Sequence, residues 1–336
     1  MESASNSLSH SGAKIMQLRI SPFVRDILRC PVCHSALEDS DNALHCLNPE
    51  CDARYPVFRG IPVLLNEQNS LFRSADVLSP QKAPFFGDGT KSRWTQHLYD
   101  WLPTLGKNIH PREHFLQLRD MLCGHGTKYV LVIGGRILGH GMQVLTQCPD
   151  IELVETDIAI GPRTALICDA HDLPFADACF DGVVAQAVME HVVDPYRCSE
   201  EIHRVLKYQG VVYAETPFMQ QVHAGPYDFT RFTHLGHRRL FRRFDEVDSG
   251  VICGPGMALA WAYQYFLLSF PTTRTGRAFA RLFARLTSFP LKYLDPWLAH
   301  RPGAMDAASG YYFLGRKMGH TLEDRALVQQ YRGATR

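Results

Sequence analysis

Four cysteines, Cys30, Cys33, Cys46 and Cys51, lie close together in the texts CPVC and CLNPEC, with a short strand-like run between the pairs. Two pairs of thiolates brought together by a hairpin form a tetrahedron. Zn²⁺ accepts that geometry without a d-electron preference, and such sites are closed and structural. A segment this short has too little core to fold unaided, which favours a metal staple over four free thiols. His34 and His45 stand beside the cluster as spare ligands. The remaining six cysteines are scattered and read as ordinary buried residues.

A second chemistry begins at VLVIGGRILGHG, Val130 to Gly141. Four apolar residues run into Gly134, Gly135, Gly139 and Gly141, as a buried strand does on entering a nucleotide-binding turn. Asp157 and Asp169 end the next two apolar runs, and a glycine loop followed by an acid on the next strand fits two classes of nucleotide-containing cofactor. A dinucleotide site requires G-x-G-x-x-G, which these glycines cannot satisfy, and Arg136 projects where a pyrophosphate must approach. A third group sits in ETPFMQQVHAGPYDFTRFTHLGHRRLFRRF (215–244). There His223 is the candidate general base toward a hydroxyl, with Tyr227, Asp228 and Arg231 to orient an acceptor. The alternative is that Asp228 and Arg231 form an ion pair that only holds the loop. Glu190 and His191 invite a catalytic role but read first as structural, with His191 a hydrogen-bonding group at a helix end or in a loop.

The elements that must carry these residues follow from periodicity. YVLVI (129–133), IELVETD (151–157), TALICDA (164–170), FDGVVAQ (180–186) and VVYAETP (211–217) read as buried strands. Helices are expected near 140–147 and over 195–206, the latter ending near Gly210. Such alternation predicts a doubly wound, mostly parallel sheet, with ligands beyond the carboxyl ends of the strands. FDEVDSGVI (244–252) and SGYYFLGRK (309–317) supply strands six and seven. Between them lies a helical insertion, about 257–300. Its second helix sets Arg274, Arg277, Arg281 and Arg285 against Phe279, Leu282, Phe283 and Leu286. That pattern fits either a lid packed on its own domain or a helix lying on a membrane surface. The cluster His237-Arg238-Arg239 with Arg242-Arg243 reads as a solvated helix face, or else as a contact for phosphate or anionic lipid.

The chain has 336 residues, 46% of them hydrophobic, and a net charge of +1. It is large enough for a substantial core and has no global basic field for nucleic acid. The N-terminus lacks an apolar signal region, and the longest apolar run, Met257 to Phe270, is shorter than the roughly 20 residues of a bilayer span. These features suggest a cytoplasmic protein, peripheral at a membrane if the insertion docks there.

Two resemblances sharpen the reading. CPVC, the second cysteine pair and YPVFRGIPVLL resemble the zinc ribbon of the small activator proteins that partner methyltransferases; the C-x4-C spacing departs from the usual C-x2-C. From Val130 to Gly225 the chain resembles the class I S-adenosylmethionine-dependent methyltransferases, most closely those acting on small molecules and bacterial glycans. The text CDAHDLPFADACFDGVVAQAVMEHVVDPYRCSEEIHRVLKYQG carries the likeness. It implies S-adenosylmethionine as cofactor, with Gly134 and Gly135 in the close turn and Asp157 on the ribose. It also implies Asp169, Ala170 and His171 at the adenine and Gln186 at the methionine end. The family usually has an acid where this chain has Val132 and a glycine where it has Arg136. Only eleven residues separate Asp157 from Asp169, too few for the usual intervening helix.

The expected architecture is therefore an α/β, doubly wound, mostly parallel seven-stranded sheet with a small N-terminal zinc-ribbon β domain and a helical insertion. Its divisions are a flexible N-terminus (1–24), the ribbon (25–66), a linker (67–92), the methyltransferase domain (93–318, with helices at 94–105 and 111–123) and a tail (319–336). The expected activity is methyl transfer, O-methylation of a small molecule, sugar or lipid-linked glycan. The alternative is an inactive methyltransferase fold that binds partners through its ribbon. Near-neutral charge, and AQAVMEH after strand four in place of an Asn/Asp-Pro-Pro-aromatic loop, weigh against a nucleic-acid base as acceptor.

Overall fold

The computed structural model describes residues 18–79 and 103–334. Helix α1 (Pro22–Ile27) starts where Ser21 accepts the Val24 N–H and Pro22 supplies a preset φ. Strands β1 (Leu37–Ser40), β2 (Ala43–Cys46), β3 (Arg54–Phe58) and β4 (Ile61–Leu64) follow as successive antiparallel neighbours. Among the described residues α2 (Ser74–Leu78) and α3 (Pro111–Leu122) come next. The alternating core comprises β5 (Lys128–Ile133), α4 (Gln143–Thr146), β6 (Ile151–Asp157), β7 (Leu166–Cys168), β8 (Phe180–Gln186), α5 (Pro195–Val205) and β9 (Leu206–Pro217). After it come α6 (His234–Leu240), β10 (Phe244–Cys253), α7 (Pro255–Leu268), α8 (Arg274–Ser288), α9 (Asp295–Leu298), α10 (Pro302–Ala307), β11 (Gly310–Lys317) and α11 (Asp324–Gln329).

The sheet is larger and more mixed than the seven strands expected. Eleven strands are hydrogen-bonded in the order β1-β2-β3-β4-β7-β6-β5-β8-β9-β11-β10. Strands β7, β6, β5, β8 and β9 run parallel, and β11 is antiparallel to both its neighbours. The four N-terminal strands join because β4 pairs in parallel with the edge of β7, Val63 opposite Ile167 and Leu64 opposite Cys168. An edge strand presents unpaired backbone groups, and here the chain satisfies them with its own N-terminal hairpins. Side chains follow the same continuity. Val24, Leu28, Leu37, Leu44 and Tyr55 share one apolar cluster with Leu131, Val154, Phe175 and Phe180. Phe23 also stacks on Tyr129, ring centroids 3.4 Å apart.

Several expected elements shift. The helix near 140–147 shortens to α4, and 164–170 contributes only three strand residues. Helix α5 does not run toward Gly210 but ends at Val205, and β9 begins at Leu206. Asp194 caps α5, accepting the Arg197 N–H at 3.1 Å. No helix separates β6 from β7. The helix expected over 94–105 falls mostly outside the described residues.

The basic cluster after β9 is a solvated face only in part: Arg239 is exposed and Arg242 and Arg243 are half-buried. His237 and Arg238 are buried. Arg238 donates to the carbonyls of Phe241 (2.9 Å) and Phe244 (3.0 Å), pairs with Glu246 at 3.1 Å and lies over the Phe313 ring. A guanidinium with its donors spent on buried carbonyls and a carboxylate anchors the α6–β10 corner. It does not offer itself to phosphate. In the insertion, Asp295 is fully buried and accepts the N–H groups of Gly256 (2.7 Å) and Met257 (3.0 Å), capping the start of α7 from a distant helix.

Candidate functional site

The strand order reverses between β5 and its neighbours β6 and β8, so a crevice opens beyond their carboxyl ends. Gly134 follows β5 with φ +74°, and a Cβ there would stand 2.6 Å from Val188 Cγ2, so only glycine fits the turn. Gly135 has a different reason. Its N–H donates to Thr156 O at 2.8 Å and a Cβ would press on Glu155 of the adjoining strand, so it serves strand packing. Arg136 donates its backbone N–H to Asp157 Oδ2 at 3.1 Å, and its stem crosses Gly161, where any Cβ would overlap it. The missing helix between β6 and β7 leaves the space that this arginine uses.

Asp157 ends β6 and also accepts the Ala159 N–H at 3.0 Å. Burial pushes its carboxyl up, against the pull of the Ala159 and Arg136 amides. A carboxylate has about four acceptor positions, and the amides of Arg136 and Ala159 occupy two here. Asp169, just past β7, is more committed. Its Oδ1 accepts the His171 N–H at 3.0 Å and lies 2.5 Å from His171 Nδ1, while Oδ2 accepts the Ser70 hydroxyl at 2.5 Å. The Asp194 N–H donates to His171 Nε2 at 3.0 Å, so the ring proton sits on Nδ1 and points at Asp169. Burial would raise Asp169, but His171 and Ser70 outweigh it and hold the acid below its ordinary range.

These groups line a cavity of about 150 Å³, closed on one side by Leu71 and Phe72. Leu71 and Phe72 thus form part of the site wall, and Ser70 just before them bonds Asp169. Besides Ser70, Asn66 donates to Asp172 Oδ2 at 3.1 Å. Sequence reading placed these residues where the ribbon gives way to the linker, and their polarity carried no sign of a destination.

A larger cavity of about 620 Å³ adjoins it and shares Gly134, Asp157, Gln186 and His191. Val132, Arg136, Asn108, Glu215 and His223 are among its other walls. Gln186 donates to His140 O (3.0 Å) and to Glu215 Oε1 (2.9 Å), and its own Oε1 is buried without a partner. Glu215 also accepts from Tyr213 Oη (2.7 Å) and Asn108 (3.3 Å), and burial pushes it up to about 7. Glu215 was not anticipated, although an acid ending an apolar strand is the same signal that marked Asp157.

The segment after β9 folds over this cavity. His223 lines it, with Nδ1 3.4 Å from Asp228 Oδ2. Asp228 is gripped by both terminal nitrogens of Arg231, and Arg231 also donates to the carbonyls of Gln220 (2.8 Å), Gln221 (3.1 Å) and Thr230 (2.9 Å). That arginine straps the loop together. Tyr227 turns its ring against Phe72, centroids 5.6 Å apart, while its carbonyl oxygen accepts from His191 Nδ1 at 2.8 Å. Ala170 and His171 stay at the small cavity. Glu190 and His191 lie in the turn before α5, where His191 is a loop hydrogen-bonder through Nδ1 to the Tyr227 carbonyl.

The four cysteine sulfurs converge, all within 4.8 Å of one another, with Cys30–Cys51 at 3.7 Å and Cys33–Cys46 at 3.4 Å. A Zn–S bond of about 2.3 Å gives tetrahedral S···S edges near 3.8 Å, so the spacing fits a tetrathiolate ion.

Residues 138–214 match the methyltransferase domain family, a stretch that includes both Asp157 and Asp169. No curated protein matches it significantly. Among solved structures, it is similar to a chain of the complex between the Haloferax volcanii Trm112 methyltransferase activator and a methyltransferase, at 20% identity over 62% of this chain and 90% of that one, TM-score 0.37. It is similar also to a Galdieria sulphuraria protein described as a sarcosine dimethylglycine methyltransferase, at 14% identity over 67% and 97%, TM-score 0.40. A third is Haemonchus contortus phosphoethanolamine N-methyltransferase 2 in complex with S-adenosyl-L-methionine, at 14% identity over 61% and 52%, TM-score 0.38.

Proposed function

We propose that the chain is an S-adenosylmethionine-dependent methyltransferase that methylates an oxygen of a small, sugar or lipid-linked acceptor, with a structural Zn²⁺ on Cys30, Cys33, Cys46 and Cys51. The observation that carries the reading is the pair of acids, half-buried Asp157 and buried Asp169, at adjoining strand ends around one cavity, inside the segment that matches the methyltransferase domain family.

The residues suit the cofactor. Asp157 retains two acceptor positions for the ribose hydroxyls. Asp169, with three donors already in place, retains one for an adenine amine beside Ala170 and His171. At the methionine end Val132 offers no charge, and Glu215 with Gln186 supplies the acidic, hydrogen-bonding wall instead. Bound there, the cofactor supplies an electrophilic methyl group. The protein's part is to hold donor and acceptor in line and keep water out, for which Leu71 and Phe72 close one side.

A lipid-linked acceptor is favoured by the insertion. Phe266 on α7, Phe270 just after it, and Phe279 and Phe283 on α8 are exposed, as are Arg274 and Arg277 of α8. Among the described residues no helix is long and apolar enough to cross a membrane.

Calorimetric titration with S-adenosylmethionine tests the cofactor reading. Saturable binding is expected, weakened by more than tenfold in Asp157→Ala, since hydrogen bonds to a charged group are worth about 1.5–3 kcal/mol each. No binding at millimolar cofactor overturns the enzyme reading and leaves a partner-binding scaffold.

A further inference from the structure

We propose that Glu190, His191 and His223 form a site for a divalent transition-metal cation in the wall of the larger cavity, distinct from the cysteine cluster. One carboxylate oxygen and one ring nitrogen from each histidine lie within 4.8 Å of one another. The three come from two separate segments, the turn after β8 and the loop after β9.

Each ligand is prepared for a cation. The Glu190 side chain is 1% exposed, and neither carboxylate oxygen has a hydrogen-bond partner. A buried anion in that condition is costly unless something positive meets it. Its neighbour at 3.7 Å is His191 Nε2. The other nitrogen of His191 lies 2.8 Å from the Tyr227 carbonyl. A carbonyl only accepts, so Nδ1 holds the proton and Nε2 turns its lone pair toward Glu190. In His223, Nδ1 sits 3.4 Å from Asp228 Oδ2, and Asp228 is itself fixed by Arg231 and by the His223 backbone N–H at 2.8 Å. The carbonyl behind His191 is an outer support of the kind metal-bound histidines use, while His223 Nδ1 faces both the Asp228 carboxylate and, at 3.5 Å, the Arg231 guanidinium. The two rings stand 4.9 Å apart at 76°.

Two imidazoles and one carboxylate suit zinc, manganese, iron or cobalt in divalent form, and three protein ligands leave coordination positions open. All three residues line the 620 Å³ cavity, so the completing ligand enters from there. Given the methyl-transfer reading, on which this part rests, that ligand is an acceptor oxygen, hydroxyl or carboxylate, whose proton a cation makes easier to lose. His223 then acts as a ligand and not as a free base.

Manganese is the probe, because thiolates favour softer ions and the cysteine site leaves it alone. Full-length protein carrying its zinc is titrated with Mn²⁺ and followed by electron paramagnetic resonance. The expected result is one Mn²⁺ per chain, with affinity lowered more than about tenfold in both Glu190→Gln and His223→Ala. Zinc content and thermal unfolding show that each variant is folded. No Mn²⁺ bound at millimolar metal, or binding unchanged in both folded variants, overturns the site. Cofactor titration of the same samples separates the two ideas. Metal binding without cofactor binding supports the site and removes only the methyl-transfer reading; cofactor binding without metal overturns the site alone.

Discussion

His237 shows how far a side chain's surroundings can depart from its sequence context. It sits in HRRLFRR, a text that reads as a charged surface, yet it is 2% exposed and packed among Phe232, Phe241 and Phe313. Its Nε2 has no hydrogen-bond partner. Burial, with His234 and Arg238 nearby, lowers it to about 3, and burial lowers His234 to about 4. An unfolded histidine titrates near 6.5. Between those values the unfolded chain binds protons that the folded chain refuses, so stability falls as pH drops below about 6.5. Each such histidine contributes up to about 1.4 kcal/mol per pH unit. His237→Leu is therefore expected to lose less stability than the native protein between pH 7 and pH 5, read from urea midpoints at each pH. Equal losses would show that His237 does not titrate in this window.

At the scale of elements, the informative contact is β4 against β7. The cysteine module has no core of its own, because Val24, Leu28, Leu44 and Tyr55 belong to the cluster that holds the main sheet. Its last strand and the residues just after it, through Ser70 and Phe72, then reach the Asp169 end of the cofactor crevice. The cysteine cluster and the crevice are thus joined by one short stretch of chain. Removing zinc with a strong chelator should do more than unfold residues 28–65. The edge of β7 loses its partner, so amides at 166–168 should exchange faster, and cofactor affinity should fall with them. Unchanged exchange at β7 after complete zinc loss would show that the sheet edge holds without the ribbon.

The whole molecule presents an uneven surface. Net charge is +1, but the insertion concentrates arginines with exposed aromatic side chains, Phe270 and Phe279 each 69% exposed. Helix α8 buries only Ala284 and Ser288, too narrow a stripe to account for its apolar residues as internal packing. On liposomes containing anionic lipid, the protein is expected to co-sediment, and Phe279→Ser with Phe283→Ser to stay in the supernatant while cofactor binding is retained. Equal sedimentation of the double variant would remove the surface-docking role of α8.

The sequence by itself determined the alternating strands, two of them to the residue: 151–157 and 180–186. It also determined the cysteine cluster and the two strand-end acids, Asp157 and Asp169. All are local patterns: alternation follows from burial along a strand, and ligand spacing follows from hairpin length. Tertiary structure decided the rest. The pairing of β4 with β7 uses backbone hydrogen bonds, which leave no side-chain signature. Arg238 reads as surface until Phe313, Glu246 and two carbonyls enclose it. Glu190 and His223 are 33 positions apart, and they meet because the loop after β9 folds back over the turn after β8. Such meetings depend on which surfaces pack, and the order of residues along the chain does not record it.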